Sequence, residues 1–320
     1  MPGLPRYESQ DDKGLVFSPN VYVHHKQEVD QLFDMFADKD KEGLFVFRGA
    51  TSASQKLYTS SQRIWQGKEL FKREDDHVSF NTRLIWQARQ DQSETINRYF
   101  AQIGLDPNNG FSILSYMQHY GAPTPFLDFT EDPFVAMWFA SQERSASVDD
   151  NELDQYFSVY SVRRDLSKAL NRPLRATYDK WNAEGGEEYA QKAVSSYQGG
   201  FYQGSILIIA DQELDDIFCK GGKRIWNNLN IVNQRGLFVF NGSADVPLME
   251  EILRLEQQLP NNPSRGKVSD AIKGVNIHRN LLEYVRMRPS QMTPALTRDY
   301  LFPDPGKIME RSIRSALIPR

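Results

Sequence analysis

Apolar residues fall along this chain in short blocks whose spacing changes from block to block. In residues 27–39, Val29, Leu32, Phe33 and Phe36 recur at helical spacing, which predicts an amphipathic helix. Residues 43–47 (GLFVF) are apolar on both alternating faces, as in a buried strand. The same letters return at 236–240, and 205–210 (SILIIA) predicts another buried strand. Residues 82–103 are mostly polar, with Leu84, Ile85, Ala88, Ile96, Tyr99 and Ile103 as the apolar positions of a long helix. Residues 111–120 read as a helix closed by Gly121. Pro123 and Pro125 then break the chain, 126–129 form a short extended piece, and a second helix follows with Pro133 in its first turn.

Residues 247–258 are amphipathic and helical, and 294–316 carry two short helices around Phe302-Pro303-Asp304. Strands and helices alternate irregularly. That predicts an α+β fold with a mixed or antiparallel sheet and flanking helices. Residues 1–19 are polar and broken by Pro2, Pro5 and Pro19, so 1–40 read as a loose arm and a helix. Residues 41–320 read as one domain, with a polar insertion or lid at about 145–204 that contains a strand at 157–162 and a glycine-rich stretch at 199–204.

Composition narrows the class. Of 320 residues, 40% are hydrophobic, enough for a sizeable core. The net charge of −4, from 38 basic and 42 acidic residues, gives no field that recruits nucleic acid by itself. The lone Cys219 permits neither an internal disulfide nor a cysteine-rich zinc site, which points to the reducing cytoplasm. The His24-His25 pair lacks ligand spacing to any other His or Cys, so no metal is expected. The longest apolar run, 134–140, is too short to span a bilayer, and the first residues lack a signal-type apolar core. A soluble cytoplasmic protein without a membrane partner is the expectation.

Three segments set polar groups at the edge of an apolar scaffold. In Phe47-Arg48-Gly49 a guanidinium follows a strand; its rigid fork suits phosphate or carboxylate, or a structural ion pair. Gly49 lets a ligand or another backbone approach closely. Residues 118–133 (QHYGAPTPFLDFTEDP) place His119, Tyr120, Thr124, Asp128 and Thr130 between two apolar helices. His119 beside a carboxylate suits acid–base work or orientation of a ligand hydroxyl, and equally a helix cap; Asp128 or Thr130 suits capping of the next helix. Asn233-Gln234-Arg235-Gly236 puts an amide, both donor and acceptor, before a strand, where it can bind a ribose diol or close a turn.

Taken together, these segments resemble the FRG domain family. Phe47-Arg48-Gly49 is similar to its naming motif, 118–140 to its central signature, 233–238 to its third block and 301–304 to its C-terminal block. Pro125 stands where the family usually has Arg, so an anion contact from that position is lost or supplied from elsewhere. The block order in turn resembles that of ADP-ribosyltransferases, and the resemblance implies their split β-sheet core. It implies NAD as substrate, with Arg48, Gly49, Tyr120, Thr124 and Thr130 binding it and Gln234, His119 and Asp128 in catalytic positions. Gln234 stands where Glu is commoner, and an amide cannot ionise to stabilise an oxocarbenium-like transition state as strongly. The role implied is an effector or toxin in bacterial antiphage defence or a toxin–antitoxin pair, with an unknown macromolecular acceptor and an antitoxin or regulatory partner. The alternatives are a nucleotide sensor or interaction module without catalysis on the same scaffold and, ranked last, a nuclease-like effector using His119 and Asp128.

Overall fold

The apolar blocks close into a single seven-stranded sheet in the computed structural model, which describes residues 4–38, 42–72, 76–103, 110–142, 151–164, 166, 172–196, 206–208, 229–258, 271–291, 295–304 and 306. The strands are β1 (Asn20–Val23), β2 (Phe45–Ala50), β3 (Phe126–Thr130), β4 (Tyr156–Arg163), β5 (Ile206–Ile208), β6 (Gly236–Asn241) and β7 (Ile272–His278). Their order is β1-β7-β4-β2-β3-β6-β5, with β1 parallel to β7 and every other neighbouring pair antiparallel. The flanking helices are α1 (Gln10–Gly14), α2 (Lys26–Phe36), α3 (Ser60–Gly67), α4 (His77–Ile103), α5 (Gly110–His119), α6 (Pro133–Ala140), α7 (Arg172–Ser196, broken at Gly186), α8 (Leu229–Asn233), α9 (Leu248–Gln258), α10 (Leu282–Ser290) and α11 (Arg298–Leu301). The fold is therefore α+β, a mixed sheet with flanking helices. No helix among the described residues is long and apolar enough to cross a membrane.

Two expectations are corrected. β4 lies inside the sheet between β7 and β2, and Phe157, Val159 and Tyr160 are fully or nearly fully buried. The supposed insertion at 145–204 thus begins with core, because a strand paired on both edges must be apolar on both faces. Residues 145–150 and 199–204 lie outside the described residues. The N-terminal arm is also core. Tyr7, Val16 and Phe17 pack with Val46, Leu127, Phe129 and Tyr160, and Lys13 is buried among them. Its ammonium donates to the Ala53 carbonyl (2.8 Å), Ser158 Oγ (3.1 Å), Tyr160 Oη (2.9 Å) and Asn276 Oδ1 (2.6 Å). A polar arm can be buried because those oxygens provide acceptors for the ammonium's N–H groups.

A second layer of core covers the other face, with Val29, Phe33, Ala136, Met137 and Val285 of α2, α6 and α10 packing on Ile277 of β7. Each fully buried large apolar side chain contributes about 1.5–3 kcal/mol.

At the start of α4, His77 packs edge-on to Trp65 (5.6 Å) and parallel to Phe80 (6.4 Å), with Nε2 2.8 Å from Ser61 Oγ. Burial pulls its imidazole down to about 4, against the smaller opposing pull of Asp76. The unfolded chain therefore binds the proton first. Stability should be constant above the ordinary histidine value and fall as pH drops towards 4. Between pH 6.5 and 5 the expected loss is about 1.6 kcal/mol. Urea denaturation at both pH values measures it, and a His77→Gln variant should lose most of that dependence.

Candidate functional site

Neighbouring strands of this sheet share three or more ladder positions, with one exception. β2 and β3 are paired only at Phe47–Thr130. A cleft of about 880 Å³ lies along both strands at this point, lined by Phe47, Arg48, Gly49 and Ala50 from β2 and by Leu127, Asp128, Phe129 and Thr130 from β3. Gln118 and His119 of α5, Arg63 of α3, Ala136 and Phe139 of α6, Asn230, Gln234 and Phe302 also line it, as do Arg6, Gln55, Lys56 and Tyr58. The volume falls in the range of about 300–1,000 Å³ typical of small-molecule sites.

β2 runs past the predicted end at residue 47, because Arg48, Gly49 and Ala50 continue the ladder against Tyr160, Val159 and Ser158. Arg48 is thus fixed within a strand. Its Nη1 donates to the Asp128 carbonyl, and its Nε is buried with no hydrogen-bond partner. Burial pulls this guanidinium below its ordinary value; the Arg63 charge adds to that and Asp128 opposes it. Arg63 is lowered by burial as well, again against Asp128, and its Nη1 donates to the Tyr58 carbonyl (2.7 Å). Both stay charged at neutral pH, since arginine does not deprotonate in proteins.

Arg63 owes its place to α3. Thr59 accepts from the Gln62 amide (3.1 Å) and Gln62 Oε1 from the Thr59 amide (2.9 Å), a reciprocal cap. The first turn is tied to Thr124, whose amide donates to Ser60 Oγ (2.9 Å) and whose carbonyl accepts from the Ser61 amide (3.0 Å). The Thr124 hydroxyl donates to Gln118 Oε1, and Gln118 Nε2 points at both Asp128 carboxylate oxygens (3.4 and 3.3 Å). Thr124 therefore does not reach the cleft. It is a buried anchor that sets both Gln118 and α3, which corrects the expectation that it binds ligand.

The remaining expected residues divide. Arg48, Gly49, His119, Asp128, Thr130 and Gln234 all line the cleft. Tyr120 does not: it is 75% exposed and its ring lies against Tyr116 (4.8 Å). Its position follows from Gly121 (φ +78), which turns the chain away after α5. The Thr130 hydroxyl is committed, donating to the Gln234 carbonyl (2.6 Å) and accepting from the Asp132 amide (2.9 Å). The cap of α6 is Asp132, which accepts from the Phe134 and Val135 amides, rather than Asp128 or Thr130. A Cβ on Gly49 would stand 2.1 Å from the Ala136 carbonyl oxygen, so this glycine serves the approach of α6. His119 meets Phe238 edge-on (5.9 Å). Gln234 Nε2 donates to the Leu301 carbonyl (3.0 Å) and Asn233 Nδ2 to that of Tyr300 (2.6 Å), which ties α11 to this segment; Phe302 then packs on Trp138 and Phe139.

Two contributors are invisible in the sequence. Gln118 lies in the central segment but has no assignable partner until Thr124 and Asp128 are placed. Arg63 carries no local signal beyond the Thr59-x-x-Gln62 cap pattern of its helix.

The cleft is basic: Arg6, Arg48, Lys56 and Arg63 line it, with Asp128 as the carboxylate among the lining residues. Arg6 is paired with Asp154 (2.8 Å) and Lys56 with Glu250 (3.3 Å). An anionic ligand with hydrogen-bonding hydroxyls suits this arrangement.

A family model, the FRG domain, matches residues 43–149. These include β2, α3, the central segment and α6, but not Gln234 or the 301–304 block. No curated protein and no solved structure matches the chain.

Proposed function

From the FRG domain that residues 43–149 carry, we propose that the cleft binds NAD or a related nucleotide and transfers its ADP-ribosyl group, as an effector acting on a macromolecule. The observation that carries this reading is convergence. Arg48, His119, Asp128 and Gln234 come from three separate segments and line one cleft where two strands of the sheet barely pair. That opening is what the split sheet of an ADP-ribosyltransferase-like fold would require. Arg48 holds the diphosphate by a charge-assisted fork. Gln234, steadied by the Leu301 carbonyl, offers its amide oxygen to a ribose hydroxyl. The bond from the ribose anomeric carbon to nicotinamide breaks, and nicotinamide leaves with the electron pair. The acceptor's nucleophile bonds to that carbon, and its proton passes to Asp128 or His119.

Purified protein given labelled NAD and candidate acceptors should release nicotinamide, and Arg48→Ala should slow that release by about 10²–10³-fold. Gln234→Ala should do the same to a smaller degree. One observation favours a second reading, binding without turnover: the Gln234 side chain is already tied to Leu301 and cannot ionise. NAD binding with no nicotinamide release would establish that reading. Absence of NAD binding would remove both.

A further inference from the structure

We propose that Arg63 joins Arg48 as a paired-guanidinium subsite for the diphosphate bridge of a dinucleotide, and that Asp128 sets an upper limit on the charge this subsite accepts. The proposal deepens the nucleotide reading and rests on it for the identity of the whole ligand.

Three observations converge. Both guanidiniums line the same cleft, although Arg48 comes from β2 and Arg63 from α3. Each is aimed by a backbone carbonyl, Asp128 for one and Tyr58 for the other, and neither is bonded to a carboxylate among the described residues. Arg48 keeps a buried Nε–H without a partner. Arg48 is half-buried and Arg63 solvent-exposed, and two like charges facing one cleft repel each other until an anion joins them. A diphosphate diester offers two negative charges and several acceptor oxygens, which matches two forks.

Asp128 supplies the counter-argument to a more highly charged ligand. Its carboxylate is held by Gln118 within electrostatic reach of both guanidiniums. The pair plus this carboxylate leaves about one net positive charge. A dinucleotide diphosphate is attracted, whereas a terminal triphosphate meets the Asp128 charge with its extra anionic oxygens. The site should therefore prefer a diphosphate between two sugars.

Titration calorimetry at constant ionic strength, with inorganic pyrophosphate, ADP-ribose and ATP as probes, tests this. The wild-type protein should bind ADP-ribose more tightly than ATP. Arg63→Met should weaken ADP-ribose and pyrophosphate by about tenfold or more, and Arg63→Lys, which keeps the charge but loses the fork, by less. Asp128→Asn should tighten all three probes, ATP most. Arg98→Met, on the exposed Arg98–Glu94 pair of α4, should change nothing. Unchanged affinity in a folded Arg63→Met, weaker anion binding in Asp128→Asn, or no binding of pyrophosphate and ADP-ribose to the wild type each overturns the proposal. The two levels separate cleanly. Anion binding as described without nicotinamide release leaves the subsite standing and removes the transferase reading. Nicotinamide release that Arg63→Met does not touch does the reverse.

Discussion

Gly49→Ala should cost this protein about 3 kcal/mol or more of stability, at or above the upper end for overpacked cores. The added Cβ would lie 2.1 Å from the Ala136 carbonyl oxygen and 2.5 Å from the Ala140 amide nitrogen. Both are backbone atoms of α6, so no side-chain rotation relieves the clash. The whole helix must move outwards by about 1 Å to restore contact distance. That helix carries Ala136, Met137 and Ala140 into the core and Phe139 into the cleft. A shift therefore loosens packing and distorts the site together. A melting point lower by about 4–5 °C is expected for a chain of this size. The substitution also separates two roles for the glycine. Had it served only close approach of a ligand, as its motif suggests, alanine would weaken binding and leave melting unchanged. A variant that melts like the wild type removes the packing account.

How far the sequence disclosed all this depends on where each residue's partner lies. β2, β3 and β6 are legible because central strands must be apolar on both faces, and GLFVF, FLDF and GLFVF announce that locally. β7 is equally central but reads IKGVNIH, with Lys273, Gly274 and Asn276 breaking the apolar pattern. Asn276 is buried there among polar partners distant in sequence: Lys13 and Ser158 donate to its Oδ1, and its Nδ2 donates to Asn20 Oδ1 and the Val21 carbonyl. The Lys13 contact hides the N-terminal core, since nothing near Lys13 shows which oxygens await it. The site follows the same logic. Arg48, Asp128 and Gln234 stand in segments whose composition marks them as edges of apolar scaffold, so they could be named. Arg63 could not, because its place depends on Thr124 fastening α3. Thr124 and Tyr120 looked like ligand contacts for the converse reason. Polarity beside a motif does not say whether a hydroxyl faces a cleft, another element or solvent.

Lys13→Met should be the most damaging change away from the cleft, and its effect should depend on pH. Methionine fills similar space but cannot donate, so the Ala53 carbonyl, Ser158 Oγ, Tyr160 Oη and Asn276 Oδ1 lose their shared donor. Asn276 Oδ1 keeps a bond from Ser158 Oγ (2.7 Å), and Ala53 retains a long contact from Tyr160 (3.5 Å). Partial compensation sets the expected loss at about 2–4 kcal/mol near neutral pH. The wild-type lysine is not free of cost, because burial holds its ammonium well below the ordinary lysine value. The unfolded chain then binds a proton that the folded chain holds less tightly. Wild-type stability relative to Lys13→Met should therefore rise with pH across the interval between the folded and unfolded values, by at most about 1.4 kcal/mol per pH unit. Above pH 10 the buried Tyr7 and Tyr160, whose phenols are pushed up chiefly by burial, act in the opposite sense, so the clean window lies below it. Denaturant titrations of both proteins at pH 8 and pH 9.5 should show the gap widening. A gap that stays constant would mean that the ammonium is as well accommodated inside the sheet as in water. The four oxygens would then be a full replacement for its hydration shell.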